Sequence, residues 1–338
     1  MTANLSNDDN NGRRVVVFGS GFIASNFARY ARDKLGWKVT VVYRRYENSQ
    51  LSGFHLSKLP DSIGELTAFL EDWAPTDVVI AVGSSFVPAI NRDIGSALEA
   101  HVNATLFILN ALVAQRRRQV SKILIVGSAS EYGVFGEHSV DETHPTQPQD
   151  AYGVIKLAQY HVGRYYFTVH GLPVVHVRQF NVTGAGQDMR FVIPSICSQA
   201  TRLRALTGTQ SEAQRRLVVG NTHVRRDFLS IDDVVEAYRC VLMSGSPGEA
   251  YNVCSGVTHS IEELIRIVGK MVGIDFELDV DPELVRESDK VKSVSCGNPG
   301  KLKALGWAPT RTIEAMIDSM IAYHAAEHEK KGNPLLPA

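Results

Sequence analysis

The sequence predicts an α/β fold: a doubly wound, Rossmann-type parallel sheet with a smaller, interwoven C-terminal α/β lobe. Three observations lead to this prediction. Short, continuous apolar runs alternate with helical patterns through the first half of the chain, as buried parallel strands and their crossover helices do. A glycine-rich turn follows the first apolar run, and the regular alternation loosens after about Gly184.

Each predicted strand of the large sheet is a short apolar run followed by a helical pattern. In chain order the strands are Val15–Phe18, Val39–Tyr43, Asp77–Val82, Lys122–Gly127 and Pro173–Arg178. The intervening helices run from the glycine turn to about Leu35 and then over Ile63–Trp73, Ile94–Gln115 and Ala151–His170. The last helix has a normal stop signal, because Gly171 follows it and Pro173 lies just beyond.

The C-terminal part lacks this rhythm and is predicted to form the substrate side. Its helices are Phe191–Leu206, Ile231–Ser244 and Ser260–Gly273, and its strands are Arg216–Val219 and Ala250–Val253. Ser260 and Glu263 have the spacing of a capping box. We therefore expect a disordered N-terminus at 1–12, a dinucleotide-binding domain at 13–185 and a substrate lobe at 186–330, with segment 226–256 returning to the first domain.

The composition is that of a globular protein and disfavours several other classes. The 338 residues are 44% hydrophobic and 21% charged. The formal net charge of -1 provides no basic field for nucleic acid or an anionic membrane. No apolar run approaches the length of a membrane span and the N-terminus has no signal-like apolar segment, so we expect a cytoplasmic protein. We predict no metal site, because the four cysteines lack metal-ligand spacing and are expected to be reduced.

The glycine-rich turn predicts a dinucleotide site. Gly19-x-Gly21-x-x-Ala24 lies between a strand and a helix, which is the context that this fingerprint requires. The first glycine permits a tight turn, and the second lets the backbone approach a pyrophosphate. Phe22 and Ile23 open the helix, whose N-terminus favours anionic phosphates. A plain strand–helix turn with two glycines is the alternative reading.

Two arginines after the second strand indicate which dinucleotide is preferred. NAD-binding sheets usually place an acidic residue there for the ribose hydroxyls, whereas this chain has Arg44 and Arg45. A guanidinium suits a 2′-phosphate, so we expect NADP(H). NAD(H) stays open, since two solvated arginines after a strand would look the same.

Tyr152 and Lys156 are candidate catalytic residues on the helix Ala151–His170. Four residues apart, they project from the same helix face. An ammonium near a phenol lowers the pKa of the phenol and makes it a usable acid or base. Because a tyrosine and a lysine at this spacing often occur by chance, the surrounding motifs decide how the pair is read.

With these pieces placed, the chain resembles the extended short-chain dehydrogenase/reductase family, the nucleotide-sugar epimerase and dehydratase group, from about Arg14 to His324. The further matching segments follow in the family's order: Ala81–Val87, His101–Thr105, Gly127–Gly133, Arg178–Gln187 and Arg225–Val234. Around Asn181, Arg226 and 250–256 the amino-acid sequence is most similar to nucleotide-sugar 4-ketoreductases, such as those that reduce GDP-4-keto-6-deoxy-D-mannose. The glycine fingerprint departs from the family's pattern by being one residue shorter.

The resemblance implies a catalytic triad of Ser128, Tyr152 and Lys156. In a ketone reduction the Ser128 hydroxyl would hydrogen-bond the substrate oxygen, and Tyr152 would protonate the developing alkoxide. Lys156 would contact the nicotinamide ribose and lower the pKa of Tyr152. Asn103 is expected to support this geometry.

The resemblance also implies the remaining contacts. Gly83 and Ser84 would lie beside the nicotinamide ribose, and Arg226 would bind the substrate diphosphate. The other substrate contacts are expected at Ser85, Ser130, Asn181, Val192 and Arg286. For Asn181 a local turn is the alternative, and Arg225 is read as a solvated residue. A homodimer is implied through helices near 94–115 and 151–170, whose apolar faces could equally belong to the core.

The residues at positions 130 and 131 favour a reductase over a dehydratase. Related dehydratases carry a carboxylate two residues before the position of Tyr132, where this chain has Ser130, with Glu131 beside it. We therefore expect NADPH-dependent reduction of the 4-keto group of a nucleotide-linked 4-keto-6-deoxyhexose. The alternatives are a 4-epimerase or a 4,6-dehydratase with retained NAD, the latter requiring Glu131 to turn inward. A non-catalytic cofactor-binding sensor or scaffold is the third reading.

Overall fold

The computed structural model describes residues 12–44, 51–116, 119–133, 138–206, 215–285 and 294–330. Nearly all of the expected disordered N-terminus lies outside the described residues, as do Arg45 and Arg286. The expectations for those positions therefore stay predictions.

The large sheet contains seven parallel strands in the order β10-β6-β5-β4-β1-β2-β3, which confirms the predicted doubly wound architecture. The strands are β1 Arg14–Phe18, β2 Lys38–Tyr43, β3 His55–Lys58, β4 Asp77–Ile80, β5 Lys122–Val126, β6 Val174–Gln179 and β10 Ala250–Val253. The strand order reverses between β1 and β4, and a crevice at the carboxyl ends of such strands is where ligands bind in open α/β sheets.

Helices cover both faces of this sheet. They are α1 Phe22–Asp33, α2 Ile63–Trp73, α3 Val87–Arg92, α4 Ile94–Leu98, α5 Ala104–Ala114, α6 Ala151–His170 and α8 Ile231–Ser244. Strand β1 shows why both faces need cover: Val15 and Val17 belong to the core beneath α1 and α8, while Val16 and Phe18 belong to the core beneath α2, α5 and α6. A strand buried on both faces reads as a continuous apolar run, which is why the sequence revealed it.

The smaller lobe is built around helices α7 Val192–Leu206, α9 Ile261–Val272 and α11 Ile313–Lys330, which share one apolar core. Its strands are β7 Asn181–Thr183, β8 Arg216–Val219, β9 Arg225–Ser230, β11 Thr258–Ser260, β12 Glu277–Val280 and β13 Val294–Ser295, with the short helix α10 Gly300–Lys303. Ser260 and Glu263 form the predicted capping box at the start of α9.

The chain returns to the first domain after β9. Helix α8 packs against α1, and β10 pairs with β6 at the edge of the large sheet. The predicted returning segment 226–256 is wrong at its start, because β9 pairs with β7, β11 and β13 in the small lobe.

The helix predicted over Ile94–Gln115 is interrupted by a π-helical turn, Glu99–Asn103, between α4 and α5. Contrary to our expectation, the helical stretch Ile94–Ala114 is long and apolar enough to cross a membrane by length and composition. In this fold, its α5 portion packs against α2 and buries Ile108 and Leu109 in the domain core.

Candidate active site

The glycine turn has the geometry that a dinucleotide requires. Gly19 has a φ of +120°, and a Cβ there would lie 2.3 Å from the Ala81 carbonyl oxygen, so only glycine fits. Gly21 N-caps α1 without a side-chain hydrogen bond, and the space around its Cα is open. The first turn of α1, which begins at Phe22 and Ile23, carries no acidic residue. These features fit a pyrophosphate at the positive end of the helix.

Arg44 directly follows β2 and is exposed. It stands at the carboxyl edge of the sheet, beside the strand that carries the glycine turn. An exposed guanidinium at this place is suited to pairing with a 2′-phosphate. The preference for NADP(H) therefore rests on Arg44 among the described residues.

The structure brings Ser128, Tyr152 and Lys156 together. Ser128 follows β5 and N-caps the 3-10 helix Ala129–Tyr132, and its side chain hydrogen-bonds the hydroxyl of Tyr152 on α6. One turn further along α6, Lys156 donates to the Val126 carbonyl oxygen at 2.8 Å. Its Nζ lies 5.8 Å from the centre of the Tyr152 ring. The carboxyl end of β5 and one face of α6 thus form a buried polar site.

Burial sets the protonation of these groups. It raises the pKa of Tyr152, and the hydrogen bond from Ser128 only partly opposes this. Burial lowers the pKa of Lys156 to about 8. The expected lowering of the Tyr152 pKa by Lys156 is therefore not what this geometry produces. Tyr152 therefore carries its proton at neutral pH, as an unperturbed phenol also does, and burial makes it a weaker acid.

The structure contradicts the supporting role expected of Asn103. That side chain is exposed and donates to Glu99 Oε1 at 2.7 Å, away from the triad. The π-helical turn instead directs His101 inward, where it is 1% exposed and meets the Tyr152 ring edge to face at 6.2 Å. The sequence signal that we missed is helical spacing, because His101 and the buried Thr105 lie four residues apart on one face.

Glu131 is fully buried behind Ser128 and is held in place by three donors. Its carboxylate accepts from the Ser128 amide at 2.8 Å and from Arg178 Nε at 3.0 Å, and His176 Nε2 lies 2.9 Å away. Burial would raise the pKa of Glu131, yet His176, Arg178 and the Ser128 amide together lower it below its usual value.

This arrangement leaves Glu131 a charged structural group rather than a mobile acid. The rotation that a dehydratase would need breaks all three bonds in a buried site, where unpaired charges are costly. Sequence reasoning considered Glu131 only as a catalytic acid. It missed His176 and Arg178, which lie on the neighbouring strand β6.

The expected substrate residues differ in their exposure and in the elements that carry them. Asn181 on β7 donates to the Asp227 carbonyl at 3.0 Å, and Arg226 is the neighbouring residue on β9, so the small sheet brings these two together. Ser85 is exposed after β4, Ser130 is half-buried beside Ser128, and Val192 begins α7. Arg225 is not simply solvated, because its guanidinium pairs with Glu263 at 2.7 Å.

The loop after β4 carries Gly83 and Ser84, which the sequence analysis proposed as cofactor residues, and Phe86, which it did not single out. Gly83 has a φ of +85°, and the Ser84 hydroxyl accepts from the Phe86 amide at 3.2 Å. The Phe86 ring contacts the small lobe: the Arg190 guanidinium lies 4.5 Å from its centre and Phe191 packs edge to face. The cofactor loop is thus tied to the segment that precedes α7.

The described residues contain no group of three or more His, Cys, Asp or Glu that could hold a metal ion. All four cysteines are free thiols. Three of them are buried, and burial raises the pKa of Cys197, Cys240 and Cys254. None of the buried thiols is therefore prepared to act as a nucleophile.

Comparisons with known proteins show which family this chain resembles. The family model described as GDP-mannose 4,6 dehydratase matches residues 16–320. The GDP-6-deoxy-D-mannose reductase of Pseudomonas aeruginosa is 31% identical over 314 residues, covering 92% of this chain and 96% of that protein. The structure of RMD from Pseudomonas aeruginosa with NADPH matches with a TM-score of 0.75 and 29% identity, covering 93% of this chain and 99% of that one. UDP-glucose 4-epimerase of Thermus thermophilus with NAD shares the fold, with a TM-score of 0.79 and 24% identity over 92% of this chain and 98% of that one.

Proposed function

The chain belongs to the GDP-mannose 4,6-dehydratase family, and from its site we propose an NADPH-dependent oxidoreductase that reduces the 4-keto group of a nucleotide-linked 4-keto-6-deoxyhexose. The observation that carries the proposal is that no free carboxylate lies at position 130 or 131, beside an intact Ser128–Tyr152–Lys156 group. Ser130 replaces the carboxylate expected of a dehydratase, and Glu131 is held by Ser128, His176 and Arg178. The similarity to a reductase and to a structure with NADPH supports the same reading.

The cofactor site would be formed by the turn Gly19–Ile23, the loop at Gly83 and Ser84, and Arg44. The α1 N-terminus would offer backbone amides to the pyrophosphate, and the Arg44 guanidinium would pair with the 2′-phosphate. When bound, NADPH supplies the hydride for the reduction. Lys156 lies on the inner face of α6, where its ammonium provides a positive charge for the ribose hydroxyls.

Tyr152 and Ser128 stabilise the negative charge that develops on the substrate oxygen. Both hydroxyls belong to one hydrogen-bonded pair, so a ketone oxygen that enters between them accepts from both. As the carbonyl carbon is reduced, Tyr152 gives its proton to the forming alkoxide. Tyr152 carries its proton at neutral pH, as phenols do, and the forming alkoxide is the stronger base, so the proton moves from Tyr152 to the substrate oxygen.

Arg226 and Asn181 bind the other end of the substrate. They come from paired strands of the small lobe, which leaves the sugar to span the cleft towards Tyr152. A guanidinium matches the oxygens of a diphosphate in bidentate fashion. Ser85, Ser130 and Val192 line the cleft between these two ends, and Arg286 is proposed to join Arg226.

The test is a direct assay with nucleotide-linked 4-keto-6-deoxyhexoses that differ in their base. We expect loss of NADPH absorbance in proportion to the sugar reduced, with NADH a poorer donor, and a much slower reaction in Tyr152→Phe. Tightly retained NAD together with interconversion of two sugar nucleotides would show a 4-epimerase instead. Release of water from a nucleotide hexose would show a dehydratase.

We also propose that the enzyme is a cytoplasmic homodimer formed through α4, α5 and α6. Large apolar side chains are exposed on α4, at Ile94 and Leu98, and on α6, at Val154, Tyr165 and Val169. Helices α4 and α6 contact each other, so pairing with a second copy would form a four-helix bundle. Light scattering after size-exclusion chromatography should give twice the chain mass for the wild type and the monomer mass for Val154→Asp. A wild-type monomer would contradict the dimer alone.

A further inference from the structure

We propose that His101 is a positioning residue, which fixes the cofactor loop Gly83–Ser84 against the helix that carries Tyr152. This inference rests on the proposed reductase site. His101 is not part of the Ser128–Tyr152–Lys156 group and was not predicted from the sequence. Its surroundings connect both sides of the reaction site.

One side of the imidazole holds the loop after β4. His101 Nε2 lies 3.0 Å from the Ser84 carbonyl oxygen. A Cβ added to Gly83 would lie 2.2 Å from the imidazole ring, so the loop backbone passes directly over it. The glycine at position 83 is thus required both by its φ of +85° and by the closeness of the ring.

The other contacts of His101 belong to α6. Its ring packs edge to face on Tyr152, and its backbone carbonyl accepts from Gln159 Nε2 at 3.1 Å. Gln159 lies one turn beyond Lys156 on the same helix, and its Nε2 also reaches Thr105 Oγ1 at 2.8 Å. The π-helical turn is therefore bonded to the catalytic helix through its backbone and to the cofactor loop through its side chain.

The protonation state of His101 makes this bond directional. A carbonyl oxygen can only accept, so Nε2 carries the hydrogen and Nδ1 is the unprotonated nitrogen, an assignment made from the hydrogen-bond network. Burial, followed by the charge of Lys156, lowers the pKa of His101 to about 3. The ring is neutral at working pH. The bond from Nε2 to Ser84, a side-chain interaction with Gln159 and the packing on Tyr152 together orient the ring.

Two substitutions of similar length separate this role from simple packing. In His101→Gln the amide N–H can still donate to the Ser84 carbonyl, whereas in His101→Met the side chain fills the space without a donor. We expect kcat of His101→Gln to stay within about three-fold of the wild type and kcat of His101→Met to fall at least about ten-fold. Equal values of kcat in the two variants, whether low or unchanged, would overturn the proposal.

A double-mutant cycle with Gly83→Ala provides an independent measurement. The added methyl group meets the imidazole in the wild-type background, and in a His101→Ala background that part of the clash is removed. Gly83→Ala should therefore reduce kcat by a smaller factor when His101 is already alanine. Strictly multiplicative losses would show that the ring does not set the loop position and would overturn the proposal.

NADPH binding distinguishes failure of this inference from failure of the proposed reaction. Cofactor affinity, followed by fluorescence titration, requires no sugar substrate. If no 4-keto sugar is reduced by the wild type, a several-fold weaker NADPH affinity in His101→Met than in His101→Gln would still support the role of His101. Equal NADPH affinities in that case would overturn it.

Discussion

Glu131→Gln is the substitution whose outcome follows most directly from the structure. It removes the negative charge beside Arg178, and the two side chains are 0% and 4% exposed. Breaking one side of a buried ion pair costs about 3–5 kcal/mol, mainly because the remaining charge is left uncompensated. Arg178 keeps bonds to the Tyr132 hydroxyl and the Glu142 carbonyl. We therefore expect a loss near the lower limit, about 3 kcal/mol of unfolding free energy.

Urea unfolding followed by circular dichroism measures this loss. The matched control is Glu99→Gln, because Glu99 also accepts a side-chain hydrogen bond but at an exposed site. It should change the unfolding free energy by no more than about 0.5 kcal/mol. A cost below about 1 kcal/mol for Glu131→Gln would refute the view that Glu131 is a buried structural charge.

Acid titration of stability checks the sign of the same interaction. The pKa of Glu131 is lower in the folded protein than its ordinary value of 4.5, so the unfolded chain takes up this proton first as the pH falls. The stabilisation is complete above the unfolded pKa and is lost as the pH falls through the folded pKa. The difference in stability between wild type and Glu131→Gln should therefore shrink below about pH 4.5. A constant difference would contradict the assignment.

Three further predictions concern activity. Tyr152→Phe should lower kcat by about 10²–10⁴-fold with an unchanged circular dichroism spectrum, because the proton donor is lost; a smaller loss would remove Tyr152 from the acid role. Arg44→Ala should raise KM for NADPH by about ten-fold or more and leave KM for NADH almost unchanged, whereas the exposed control Lys270→Ala should alter neither. The kcat/KM of the wild type should fall as the pH rises through about 8, where Lys156 loses its proton. Between pH 8 and pH 10.5 the unfolded chain still binds the Lys156 proton, whereas the folded protein has released it. The free energy of unfolding should therefore rise with pH over this range, while the activity falls.

Local patterns predicted most of the large domain. Strand β1, the glycine turn and helices α2 and α6 were predicted correctly. Apolar runs, helical spacing and stop signals each lie within a few neighbouring residues, so the sequence shows them directly. The capping box at Ser260 was predictable for the same reason. Strand β3 was missed because its residues, His55–Lys58, are mostly polar and it lies at the sheet edge.

The sequence by itself determined the parallel sheet, the cofactor turn and the pairing of Tyr152 with Lys156, since each depends on short-range spacing. The tertiary structure alone decided what surrounds that pair. Glu131 meets residues 45 and 47 positions away in the sequence, and a π-helical turn selects His101 over Asn103 as the inward residue. Contacts between distant strands and a change of helical register leave no local periodicity, so only the folded chain shows that Glu131 is held and that His101 lies against Tyr152.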